Sequence, residues 1–111
     1  MTAYTVVFTP EAEEDLASLF RHIASAASPE IAARYTGAIV GYCEGLRDFP
    51  HRGVCRDDVR PGLRVTNYKR RAVIAFAVDD ATQRVAILGI YYGGRDFVGD
   101  LSADLDDASL R

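Results

Sequence analysis

The residues best equipped for chemistry in this sequence are cations and phenols. Arg64, Lys69, Arg70 and Arg71 precede an apolar stretch, and Tyr91, Tyr92 and Arg95 close the next one, in "LGIYYGGRDF" (88–97). Gly93 and Gly94 let the chain turn sharply before Arg95, which sets a guanidinium at the rim of whatever element ends there. Asp96 is placed to pair with it or to steer it. Such a set suits contacts to RNA phosphates and bases, and equally contacts to an acidic protein surface.

Other chemistries lack their residues. The glycine pair stands outside any GxGxxG or GxxxxGK[ST] pattern, so no nucleotide site is expected. A Ser-His-Asp or Cys-His arrangement would need His22 or His51. The first reads as a surface histidine of a helix, the second as a complement to a helix C-terminus. Cys43 and Cys55 lie twelve apart without a histidine pair at zinc spacing, so they read as idle thiols of a reducing compartment. The glutamates near the N-terminus read as a solvated helix face. No catalytic residue, metal or cofactor is expected.

The formal charge of −3 hides an asymmetry. Between His51 and Arg71 lie Arg52, Arg56, Arg60, Arg64, Lys69, Arg70 and Arg71, opposed by Asp57 and Asp58. After Arg95 come Asp96, Asp100, Asp104, Asp106 and Asp107. A basic middle implies an electropositive face that suits an acidic partner. No apolar run approaches the ~18 residues that span a bilayer, and the N-terminus lacks a basic, then apolar, leader pattern, so a cytoplasmic location is expected.

Short elements must position these groups. "YTVVF" (4–8) alternates as a strand. Thr9 and Pro10 open a helix whose stripe is Ala12, Leu16, Leu19, Phe20 and Ile23, and Ser28 and Pro29 open a second with Ile31, Tyr35, Ile39, Tyr42 and Leu46. That helix is predicted to end near Pro50 and Gly53. Strands follow at 63–68, 72–78 and 84–92, the last two joined through "DDATQ". "AVIAFAV" is apolar on both parities, which predicts a central strand covered on both faces. The tail is predicted to form one weak turn around Phe97, Val98 and Leu101 and then to fray. The whole is a single α+β domain, β-α-α-β-β-β, with a helical hairpin on a mostly antiparallel four-stranded sheet and an acidic, partly frayed tail at 96–111.

"VVFTPEAEEDLASLFRHIA", "FPHRGVCRDDVRPGLRV" and "VAILGIYYGGRDF", in this order, resemble the ParE branch of the RelE/ParE toxin superfamily over about residues 4–101. In that family the last strand ends in a GxRD-like stretch, matched by Gly93, Gly94, Arg95 and Asp96. The resemblance implies a type II toxin, associated with plasmid stabilization, that inhibits DNA gyrase and is neutralised by a ParD-like antitoxin. It implies no sequence-specific DNA binding by the toxin alone, and no membrane partner. The alternative is a RelE-like, ribosome-dependent mRNA interferase. The basic positions of that branch are only half kept. Arg64 and Arg95 match, whereas Thr66, Val73 and Leu101 stand where two cations and a tyrosine are usual; Arg71 or Tyr92 could substitute from nearby. The candidates for contact with target or antitoxin are thus Arg64, Lys69, Arg71, Tyr92, Arg95 and Phe97.

Overall fold

The computed structural model describes residues 3–69 and 72–92. Strand β1 (Thr5–Phe8) leads into helix α1 (Pro10–Ala26). Thr9 makes this junction. Its Oγ1 accepts the Ala12 N–H at 3.2 Å and donates to the Ile87 carbonyl at 2.8 Å, so one side chain caps the helix and ties it to the last strand. Six residues further on, Asp15 accepts the Ile90 backbone N–H at 3.0 Å. Ser28 caps helix α2 (Pro29–Glu44) through the Ile31 N–H at 3.1 Å. The helix stops at Gly45, earlier than Pro50, and a 3₁₀ turn (Gly45–Arg47) buries Leu46 in its place.

The sheet has the order β1-β5-β4-β3-β2. Here β2 is Val54–Cys55, β3 Leu63–Tyr68, β4 Ala72–Asp79 and β5 Arg84–Tyr92. Strand β1 runs parallel to β5; every other pair is antiparallel. The α+β class and the strands at 63–68, 72–78 and 84–92 are as the sequence predicts. The sheet has five strands rather than four, because the basic linker contributes β2. Two residues are too few to show a period of two, and they pair only because Gly53 bends into them with φ +83°.

Both helices lie on one face. Leu19, Ile23, Tyr35, Ile39 and Cys43 pack on Ile74, Phe76, Val85, Ile87 and Ile90. Ile87 and Ile90 are three residues apart and would point to opposite faces of a regular strand. A bulge corrects this: Phe76 opposes Ile87, whereas Ala75 opposes Gly89, so Leu88 is an inserted residue. The Asp15 carboxylate binds the Ile90 N–H, two residues beyond the inserted Leu88.

The other face carries Val7, Leu63, Val65, Val73, Ala75, Ala77, Ala86 and Tyr91, which share it by register. Among the described residues no helix covers it. The expectation that β4 is covered on both faces is therefore met on one face only. Phe76 is fully buried at the centre of the covered face. Phe76→Ala should lower the unfolding free energy by about 3–5 kcal/mol, read from the urea midpoint, because the core cannot close over the lost ring.

Candidate interaction surface

Arg64 lies on the helix side of β3, opposite Phe76, and its side chain reaches sideways into the basic linker. It donates to the carbonyls of His51, Arg52 and Gly53, at 3.1 Å for Arg52 and 3.2 Å for Gly53. One guanidinium thus holds three successive peptides, and β2 begins where they end. Gly53 fits beneath because it has no Cβ; an added one would come within 2.4 Å of the Val65 carbonyl oxygen. Other linker cations also have local duties. The Arg52 guanidinium sits 5.5 Å from the Tyr42 ring centroid and 5.2 Å from that of Phe49. Arg56 makes a two-point pair with Asp58 at 3.1 Å. Arg60 and Lys69 are exposed, with no ion pair among the described residues.

Beside Arg64 lies a cleft of about 170 Å³ lined by His51, Cys55, Asp57, Arg64 and Asp80. His51 and Cys55 meet here, but not as base and nucleophile. His51 Nε2 is 2.9 Å from Asp80 Oδ1, which also accepts the Tyr4 hydroxyl at 2.7 Å. The Cys55 thiol donates to Asp57 Oδ2 at 3.0 Å, and Asp57 Oδ1 accepts the Gly62 N–H at 2.8 Å. Each potential catalytic group is thus paired with its own carboxylate. The hydrogen bonds from Tyr4 and His51 hold the Asp80 carboxyl below the ordinary range, and those from Cys55 and Gly62 do the same for Asp57. His51 ties the β4–β5 turn to the linker instead of completing a helix end. Among the described residues, no group of three His, Cys, Asp or Glu side chains could hold a metal ion.

The site candidates fall into three settings. Arg64 is a brace for the linker. Lys69 is exposed in the β3–β4 turn, in the left-handed region at φ 56°. Tyr92 is opposite Ala72 on the helix side and packs against the core together with Tyr42 and Tyr68. Arg71, Arg95 and Phe97 lie outside the described residues, as does the turn around Phe97, Val98 and Leu101. Residues that carry no sequence signal make the site as much as these do. Asp57 and Asp80 order the linker and Asp15 anchors the bulge, yet each looks like an ordinary surface carboxylate in the sequence. Only the D-x-x-x-x-G spacing of Asp57 and Gly62, a glycine at φ 81°, hints at the turn.

The free face of the sheet is apolar along its middle, between Asn67 near one end and Asp79 and Arg84 at the other. Tyr91, 59% exposed, lies back across Gly89, where a Cβ would come within 2.8 Å of its hydroxyl and 2.9 Å of its ring. Alanines 75, 77 and 86 form a low floor between Val7, Val65 and Val73. A second apolar groove, of about 420 Å³, runs between the helices along Leu16, Phe20 and Val40.

Two antiparallel helices on one side of such a sheet have relatives among known proteins. The profile of the family described as "ParE toxin of type II toxin-antitoxin system, parDE" matches residues 6–97. The chain belongs to the ParE toxin family. A chain of the chromosomal ParDE system from P. aeruginosa superposes with a TM-score of 0.70 at 24% identity, over 83% of this chain and 98% of that one. A chain of the toxin-antitoxin complex RelBE2 from Mycobacterium tuberculosis superposes with a TM-score of 0.62 at 26% identity, over 84% and 94%. No curated protein matches the sequence significantly.

Within the ParE family the fate of the RelE-type positions becomes readable. Arg64 is committed to three carbonyls. Thr66 is buried, with its hydroxyl 3.0 Å from that of Tyr42. Val73, opposite Asn67 and Tyr91, is on the other face of the sheet.

Two measurements check the site. Burial pushes the Cys43 thiol up to about 12, whereas Cys55 is exposed. A neutral-pH thiol reagent should therefore titrate one thiol rapidly in the native protein, and the second only on unfolding; Cys55→Ser should abolish the rapid phase. Asp57 and Asp80 are depressed below their ordinary 3.8, so their stabilisation is complete above that value and is lost as pH falls through the lower folded values. Thermal stability should be flat in this respect from pH 7 to about 5 and fall below about 4, less steeply in Asp80→Asn.

Proposed function

We propose that this ParE-family chain is the toxin of a type II toxin–antitoxin pair, that it inhibits DNA gyrase, and that a ParD-like antitoxin neutralises it by covering the free face of the sheet. The observation that carries this reading is the face itself: an apolar floor of valines and alanines, bordered by Lys69, with Arg70 and Arg71 next in sequence. Such a surface suits an amphipathic protein segment with carboxylates at its edge. A phosphate backbone would ask for cations across the floor. Cleavage of mRNA needs groups that activate a 2′-hydroxyl and protonate the leaving oxygen. The described RelE-type positions do not converge to supply them, since Arg64 and Thr66 face the helices and Val73 faces away. Action on gyrase places the chain in the cytoplasm; no helix among the described residues is long and apolar enough to cross a membrane.

Induction of the chain alone should halt division with filamentation and an SOS response, and the purified protein should inhibit gyrase supercoiling in vitro. Co-expression of its antitoxin should restore growth. Defined mRNA ends in the ribosomal A site after induction would instead establish the interferase activity. Val73→Lys should change stability by about 1 kcal/mol or less, yet weaken antitoxin binding at least tenfold in calorimetry, because it sets a cation in the apolar floor.

A further inference from the structure

The outer face of the helical hairpin, on the opposite side of the molecule from the free sheet face, is also unpartnered. Its groove of about 420 Å³ is floored by Leu16, Ala17 and Phe20 of α1 and by Thr36 and Val40 of α2. Phe20 is 36% exposed. Beside Val40 the face continues over Gly37 and Gly41, four residues apart and both exposed. A Cβ at either would meet nothing within 4 Å, so no contact inside the chain calls for glycine there. Glycine is a poor helix former. Its effect at these positions is a low surface on which another helix can lie close.

The charges on this face select what lies there. Arg34 and Glu44 stand exposed at the two ends of the glycine pair, and neither has an ion pair among the described residues. Glu13 and Arg21 stand in the same way on either side of Ala17. A second copy laid antiparallel, about a twofold axis at the level of Ile39, sets Gly37 against Gly41 of that copy and Arg34 level with its Glu44. The groove fixes what lies at the same height on α1. Leu16 and Val40 line it from facing helices, as do Phe20 and Thr36, so Ala17 is level with Ile39. The same axis therefore passes Ala17 and sets Glu13 level with Arg21 of the second copy, which already holds Glu14 of its own chain at 2.9 Å. One axis thus satisfies both helices.

The other charges of the hairpin are compatible with this contact. Glu11, Asp15 and His22 lie, by helical spacing, on the flank of α1 away from the groove. Glu30 falls level with the 3₁₀ turn of the second copy, where Arg47 and Asp48 offer one charge of each sign. An axis along the helices would instead set α1 on α2 of the second copy. Arg34 would then stand level with His22 and Glu44 with Ala12, and neither would gain an opposite charge. Helices of 17 and 16 residues are ~25 Å long and together ~20 Å wide. The contact therefore buries on the order of 1,000 Å² in total, the lower end for a specific interface.

We propose that two copies of this chain associate through the outer faces of their helical hairpins, antiparallel about one twofold axis, into a four-helix layer with a sheet on either side. Both free sheet faces then point outward and stay open. The contact goes beyond the functional reading given above and does not compete with it.

Sedimentation equilibrium of the full chain should show a reversible monomer–dimer equilibrium in the micromolar range. Gly37→Leu with Gly41→Leu should weaken association at least tenfold, while the melting temperature of the dilute monomer holds or rises, since leucine is the better helix former. Arg34→Glu should weaken association at least tenfold, and adding Glu44→Arg should restore it. In a Cys55→Ser background, Ala17→Cys, at the axis, should link two copies when oxidised with diamide, whereas Ala26→Cys, at the end of α1, should not. A monomer at every concentration would overturn the proposal and leave the face to a different protein. So would a dimer indifferent to Arg34→Glu, or one dissolved by Val73→Lys and hence built on the free sheet face. None of these readouts involves toxicity. A dimer without gyrase inhibition removes only the functional reading, and gyrase inhibition by a strict monomer removes only the dimer.

Discussion

One helical layer faces a sheet that is apolar on both sides, and the rest of the molecule is arranged around that imbalance. Strand β4 carries Ala72, Ile74, Phe76 and Val78 on one parity and Val73, Ala75 and Ala77 on the other. The helical hairpin buries the first set completely at Ile74 and Phe76. The second set is built of smaller residues, and among the described residues no helix covers it. An antiparallel sheet can tolerate water on one face, but its open face is then usually polar. The departure from that pattern is the main reason to read this molecule as a binding module.

The covered side depends on a local irregularity. Strand β5 must supply Val85 and Ile87 to the core and then Ile90 and Tyr92, which have the opposite parity. The inserted Leu88 shifts the phase, Gly89 leaves space for the Tyr91 ring, and Asp15 holds the strand just beyond the bulge. Thr9 binds the same strand from the start of the helix, six residues before Asp15. Helix α1 is thereby registered on β5 by two side chains, and its apolar stripe needs no other guide to find the sheet.

The linker shows how charge in a sequence differs from charge on a surface. A run of arginines against a pair of aspartates reads as a cationic patch. In the fold Arg64 is spent on carbonyls, Arg52 on aromatic rings and Arg56 on Asp58. Among the described residues Arg60, Lys69 and Arg84 stay exposed without an ion pair, Lys69 in the turn beyond one end of the free face and Arg84 at the other. The face carries cations at its ends rather than across its floor, which is the arrangement that the proposed antitoxin contact uses.

The sequence by itself determined the helices, four of the five strands at nearly their observed bounds, the α+β class and the family. Caps at Thr9 and Ser28, stripes at helical spacing and β-rich runs are local signals, and local signals survive without tertiary context. The bulge in β5 beside Gly89 was not read from the sequence, because alternation alone does not say which residue is inserted. Tertiary structure alone decided the roles of Arg64, Asp15, Asp57 and Asp80, because a polar side chain acts through partners as far away as the 75 residues between Asp15 and Ile90. It alone decided that β2 exists, since two residues pair only when a glycine and a guanidinium bring them to β3. And it alone decided which parity of β4 the helices would take, because the two parities are almost equally apolar and only the packing of a whole hairpin distinguishes them.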